Sequence, residues 1–300
     1  MLVLKIVYNK EMDFAKELQD MKNSFDSKNI SIGIVEMEEG SSRIVKIMCD
    51  DSTYNSNISE KILLYVSNIL FNVVVVEYRK KELYDYITEN YFFLKQEEIL
   101  DIEQNIIDVL ETREKPSEEI FIYCYNMIHS IIDKIKSCVS ENDTINFNGF
   151  ITFRMRELRE DIESIVDKII EKYIIDKEYE EFIRLLKYFV DIQECKIDEV
   201  RIKITSCGLY IVEDQDGNDM LKVYLKELAD TELNIVDANV EDILISGLIT
   251  SVPKKIKIYG YDNCNNKEFL RTLEQVFEDR IIFCENTDKY KLSKNKVLTE

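Results

Sequence analysis

Residues 147–197 read FNGFITFRMRELREDIESIVDKIIEKYIIDKEYEEFIRLLKYFVDIQECKI, and their periodicity decides the architecture. Ile151, Met155, Leu158, Ile162, Ile165, Ile169 and Tyr173 recur at alternating spacings of four and three, which sets them on one helix face. Asp176 is a residue type suited to an N-cap, and a second stripe follows it through Tyr179, Phe182, Leu186, Phe189 and Val190. The pattern predicts two long antiparallel helices, a hairpin over 147–193. Opposite-sign pairs four apart (Arg156–Glu160, Arg159–Glu163, Glu180–Arg184, Lys187–Asp191) line the outer faces. Each is worth roughly 0.2–0.5 kcal/mol, against about 1.5–3 kcal/mol for burying one large apolar side chain. Packing therefore outweighs charge in shaping this region.

Upstream, Leu2–Tyr8 reads as a strand, Glu11–Phe25 as a helix, and Ile30–Met37 with Arg43–Cys49 as a hairpin joined by a Glu-Gly-Ser-Ser turn. Ser59–Phe71 is helical, and Val73–Val76 fits either a strand or a helix tail. Residues 1–80 thus form a small α/β domain, one sheet covered by two helices. From residue 81 the pattern is helical: Glu82–Leu94, Gln96–Thr112 and Ser117–Val139, the last with Pro116, Glu118 and Glu119 suited to a helix start. Glu141–Thr144 is a polar break. Downstream of Ile197, Val200–Thr205 and Leu209–Val212 are strands, Asp216-Gly217 marks a turn, and Leu221–Leu228 leans helical. Asn239–Thr250 is a helix ending before Pro253, with Gly247 allowing close approach of a neighbour. Lys255–Tyr259, Asn266–Phe277 and Ile281–Cys284 make a β-α-β unit, which implies a parallel pair with a right-handed crossover. The fold class is α+β: an N-terminal α/β sheet unit (1–80), a helical domain with the central hairpin (81–197), a C-terminal α/β unit (198–285) and a tail (286–300).

Composition bounds the partners. A formal charge of −20 repels a phosphate backbone and an anionic lipid surface, so neither nucleic acid nor such a surface is expected. A basic protein partner is compatible. Residues 82–119 hold twelve acids against Lys95, Arg113 and Lys115, a pattern that fits a docking face for a basic partner and also an ordinary solvated helix face. Seven scattered cysteines, none in a C-x-x-C pair, with no secretory signal, read as reduced thiols in a cytoplasmic protein. Ile69–Val76, the most apolar stretch, falls far short of the roughly twenty residues a membrane span needs.

Motifs for chemistry are sparse. No phosphate-loop glycine pattern occurs. Residues 214–219 (DQDGND) look like a calcium loop, but placing Gly217 at its sixth position puts Val212 and Val223 where carboxylates belong. His129, the one histidine, lies on or beside an apolar helix face without ligand-spaced companions, so no metal site and no cofactor are expected. Cys207, Cys264 and Cys284 have no legible activating partner. The densest basic group is Arg154, Arg156 and Arg159, which with Asn148 and Gly149 at a helix start could hold a small phosphate- or carboxylate-bearing anion. The same arginines also suit structural ion pairs. Arg184 and Lys187 would face that groove if the hairpin closes. No catalytic constellation is visible.

Three stretches carry a resemblance: NGFITFRMREL (148–158), DKEYEEFIRLLKYFVDIQ (176–193) and ILISGLITSVPKK (243–255). The region 147–284 resembles the YtxC family of sporulation proteins from endospore-forming bacteria. That resemblance implies a setting in spore formation and transfers no catalytic residues. The resulting expectation is a cytosolic, sporulation-associated protein acting through protein contacts, with a small anionic ligand at the arginine cluster as the alternative.

Overall fold

A computed structural model of the chain describes residues 1–10, 12, 14–52, 54–111, 118–229 and 239–285. The expected tail over 286–300, and the Pro116 start of the fifth helix, lie outside the described residues. The chain divides into two compact units, 1–174 and 175–300.

In the first unit, β1 (Leu2–Asn9), α1 (Ala15–Asp26), β2 (Ile32–Glu39), β3 (Ser42–Cys49) and α2 (Ser56–Tyr78) follow in order. A π-helical turn, Arg79–Leu83, leads into α3 (Tyr84–Asn90), then α4 (Gln96–Leu110), α5 (Glu118–Ser140), β4 (Thr144–Asn146) and α6 (Phe147–Ile192). The sheet order is β2-β3-β1-β4. Val73–Val76 is helix, because Asn55 caps α2 through its side chain and nothing breaks the helix before Tyr78. The polar break at Glu141–Thr144 instead leads into β4, which pairs parallel to β1 with Ile6 opposite Ile145. Three residues are too few to show periodicity, so this strand is visible only in the fold.

One apolar core runs from Leu4 and Ile6 through Ile62, Val66, Leu70 and Val74 of α2 to Ile102, Ile106, Ile131 and Ile135, and on to Ile162, Ile165 and Val166 of α6. Ser56–Asn90 is long and apolar enough to cross a membrane by length and composition, a longer run than Ile69–Val76 suggests. Half of its most apolar window is buried within the protein.

The hairpin over 147–193 is not formed. α6 is one unbroken helix of 46 residues passing straight through Asp176. No Gly or Pro stands between Gly149 and Ile192, and an Asp inside a helix costs only a fraction of a kcal/mol, up to ~0.7. A residue that suits a cap does not by itself end a helix. The expected first stripe is otherwise in place, with Met155, Leu158, Ile162, Ile165 and Ile169 buried.

The second unit takes the last part of α6, then β5 (Ile197–Ile204), β6 (Tyr210–Asp214), α7 (Met220–Ala229), α8 (Val240–Ser251), β7 (Pro253–Tyr259), α9 (Lys267–Phe277) and β8 (Ile281–Cys284). Its sheet order is β6-β5-β7-β8, with β7 and β8 parallel across α9 as the β-α-β pattern requires. β5 also pairs parallel to β7. Its core joins Val200, Ile202, Ile256 and Ile258 of the sheet to Tyr224, Leu244, Leu248, Leu273 and Val190 of the helices.

Gly247 is where α8 meets α7. A Cβ built there would lie 2.2 Å from the Tyr224 ring, whose hydroxyl shares a hydrogen bond with Ser251 Oγ at 3.0 Å. Gly247→Ala is expected to destabilise the second unit by about 1–3 kcal/mol through overpacking. Thermal unfolding checks this, and an unchanged melting temperature would contradict the packing described.

Candidate functional site

The five residues of the anion hypothesis do not converge. At 100° per residue, Arg156 and Arg159 lie roughly 60° apart around α6, while Arg154 points about 140° or more away from both. Arg154 Nη1 donates to both oxygens of Glu157, at 2.8 and 2.9 Å. Arg159 Nη2 meets Glu82 Oε2 at 2.8 Å, in place of the Glu163 expected from spacing. Arg156 is exposed. At the helix start, Asn148 Oδ1 accepts the Asn9 N–H at 2.9 Å, and the Gly149 N–H donates to Asn146 Oδ1 at 3.1 Å. Asn148 also lines a mixed pocket with Asn9, Asn72, Lys80 and Lys81, apart from the three arginines. Because α6 does not turn back, Arg184 and Lys187 form no second wall, and Lys187 pairs with Glu278.

What Arg159 joins instead is a polar seam within the first unit. Arg159, Glu163 and Asp167 recur every four residues along α6, and Tyr78, Glu82, Tyr86 and Tyr91 meet them from the π-turn region and α3. Tyr86 and Tyr91 both donate to Asp167 Oδ1 at 2.8 Å. Burial, then the Asp167 hydrogen bond, pushes both phenols well above their ordinary range. Burial raises Tyr78 first, and the charges of Glu163 and Glu82 add to it. Its hydroxyl is buried without a hydrogen-bond partner among the described residues. Burial also raises the Glu163 carboxyl; Arg159 opposes this, while Glu82, Asp167 and Glu160 add to it. The seam binds helix to helix.

The strongest candidate for recognition lies in the second unit. α6, α8 and α9 enclose a groove of about 530 Å³. Its apolar wall is Tyr179, Phe182, Leu186, Ile245, Ile249 and Phe269, and its acidic end carries Glu241, Asp242 and Glu268. Tyr179 and Thr272 hydroxyls share a hydrogen bond at 2.9 Å across the floor. Glu241 is already committed: it accepts from Tyr210 Oη and Asn266 Nδ2, while Asn266 Oδ1 caps α9 by accepting the Phe269 N–H at 3.1 Å. Asp242 and Glu268 are exposed, and no Lys or Arg is among the residues lining the groove.

The groove continues onto an uncovered helix face. Between 175 and 192, α6 buries Ile183, Leu186 and Val190 in the core of the second unit. Within an arc of roughly 120° on another face it leaves Phe182, Leu185, Tyr188, Phe189 and Ile192 between 41% and 58% exposed. Glu178 and Glu181 share that arc at its N-terminal end. Sequence spacing assigns Phe182 and Phe189 to a buried stripe and so misses this face. The available signal is that FIRLLKYFVDI, like ILISGLIT in α8, carries more large apolar positions than one buried face needs.

The remaining candidates are quiet. Asp214 Oδ1 accepts the N–H groups of Asp216 and Asn218 at 2.8 and 2.9 Å, so the calcium-like stretch is a side-chain-stabilised turn, with Gly217 at φ +86°. No cluster of metal-ligating side chains occurs among the described residues. His129 is exposed and stands edge-on to Tyr125. Burial pushes the Cys124 thiol up to about 11. Cys207 is exposed, its thiol lowered by the Thr205 hydroxyl.

A family model described as the YtxC-like family matches residues 64–282. The chain is similar, at 23% identity over 283 residues covering 93% of each chain, to "Uncharacterized protein YtxC" of Bacillus subtilis (strain 168). No solved structure matches it.

The raised Glu163 carboxyl fixes the sign of a pH effect. A carboxyl that is harder to ionise when folded contributes stability below its unfolded pKa, about 4.3, and loses that contribution as pH rises through the higher folded value. Glu163→Gln is therefore expected to melt higher than the parent at pH 7, with the gain shrinking toward pH 4. A gain that grows toward pH 4 would show that the seam is not what strains Glu163.

Proposed function

The chain belongs to the YtxC-like family, and from that premise we propose that it is a cytosolic protein of spore formation that works by holding another protein rather than by transforming a substrate. The sporulation setting is supported by the family resemblance of 148–158, 176–193 and 243–255. The mode of action is supported by one observation above the others: the apolar groove of the second unit and the uncovered face of α6 that extends it. A soluble surface keeps such patches small unless they meet something.

The physical logic is an inequality of cost. Leu185, Tyr188, Phe189 and Ile192 contribute little to their own unit while exposed. Each is already about half covered, so covering the rest would return on the order of 1 kcal/mol apiece, which a binding partner can use. Replacing Leu185 and Phe189 together by Glu should leave the melting temperature nearly unchanged, because neither side chain is in the core. In the cells that make the protein, taken into sporulation, the same double variant should lower spore yield and lose a stoichiometric protein companion seen with the parent. Normal spore yield with the double variant as sole copy would contradict the proposal.

A further inference from the structure

We infer that the groove between α6, α8 and α9 receives a cationic amphipathic helix from a partner protein, its apolar side chains against Phe182, Ile245, Ile249 and Phe269 and its lysine or arginine side chains against Asp242 and Glu268. This rests on the protein-contact reading above and adds the chemistry of the partner.

Three observations select that occupant. First, every wall of the groove is a helix. Beyond the first turns of α8 and α9, helix backbones spend their hydrogen-bonding groups internally, so no strand edge is offered and an extended peptide has no ladder to join. The groove presents side chains, which is the setting for a helix laid in a groove. α8 supplies a wall of twelve residues, about 18 Å or three turns. Second, the charge is one-sided. Glu241, Asp242 and Glu268 sit at one end and no lining residue is basic. Glu241 is held by Tyr210 and Asn266, but Asp242 and Glu268 have exposed carboxylates. Each lies in the first turn of its helix, at the solvent-exposed end of the groove. Third, the adjoining arc of α6 adds Glu178 beside Phe182 and Leu185, while Glu181 in the same arc already pairs with Lys177 at 4.0 Å. A second copy of this chain is the alternative occupant, but it would bring another −20 of charge to a site that supplies no cation.

The test uses the full chain and a fluorescein-labelled 18-residue helix of leucine and lysine patterned with one apolar face, beside a twin with glutamate in place of lysine. Anisotropy should show saturable binding of the lysine peptide and none of the glutamate peptide. Asp242→Lys with Glu268→Lys should weaken binding at least tenfold, and Ser246→Phe, which fills the groove without changing charge, should do the same. Glu97→Lys with Asp101→Lys on exposed positions of α4 changes net charge equally and should leave binding within twofold. Equal weakening by the two charge-reversed pairs would mean diffuse attraction to an acidic protein and would overturn the inference, as would binding that survives Ser246→Phe. If the lysine peptide fails to bind while the Leu185/Phe189 variant still loses spore yield, the contact reading stands and the cationic helix falls. If the peptide binds as described and that variant sporulates normally, the groove chemistry stands and the proposed cellular role falls.

Discussion

A helix of 46 residues without an internal breaker must find burial along its length, and the rest of the structure follows from where α6 finds it. Up to Ile170 its apolar positions fill the core of the first unit; from Ile183 to Val190 they fill the core of the second. Isolated helices are marginal in water, so a long one persists through the packing of its faces. Each unit supplies that packing in its own way. In the first, the helix face beside the core is polar and is satisfied by tyrosines and Glu82. In the second, the helix carries more apolar surface than its core covers.

The order of elements was largely legible because it rests on local pattern. Alternation marked the hairpin of β2 and β3, Asn266 marked the start of α9, and Gly247 marked a close approach that the Tyr224 ring makes. What was not legible depended on contacts distant in sequence or on an energy balance that local signals do not resolve. β4 exists because Ile145 pairs beside Ile6. The cap-like Asp176 was outweighed by uninterrupted helix formers on both sides. Arg159 chose Glu82 over Glu163 because the π-turn brings Glu82 to it, and no spacing rule contains that information. The groove escaped for a related reason: a buried stripe and an exposed stripe on one helix look alike in sequence, and only the position of the neighbouring helices separates them.

These two balances give the two units different chemical characters. The seam of Arg159, Glu163, Asp167, Tyr86 and Tyr91 uses charge and hydrogen bonds to fix helix against helix, leaving little for a ligand. The groove and its adjoining α6 face do the reverse, keeping apolar area and carboxylates at the surface. The proposed protein contact gives the second arrangement a purpose, and the acidic rim is what selects a cationic partner in that proposal.

Both cores depend on α6 being continuous through Asp176, and amide hydrogen exchange across residues 170–182 tests that most directly. A continuous helix gives each of these N–H groups an acceptor four residues back, so slow exchange should run unbroken through 175–180. A helix beginning at Asp176 would leave its first N–H groups without such acceptors. Fast exchange confined to 176–179, flanked by protected amides, would show two helices instead of one and contradict a continuous α6.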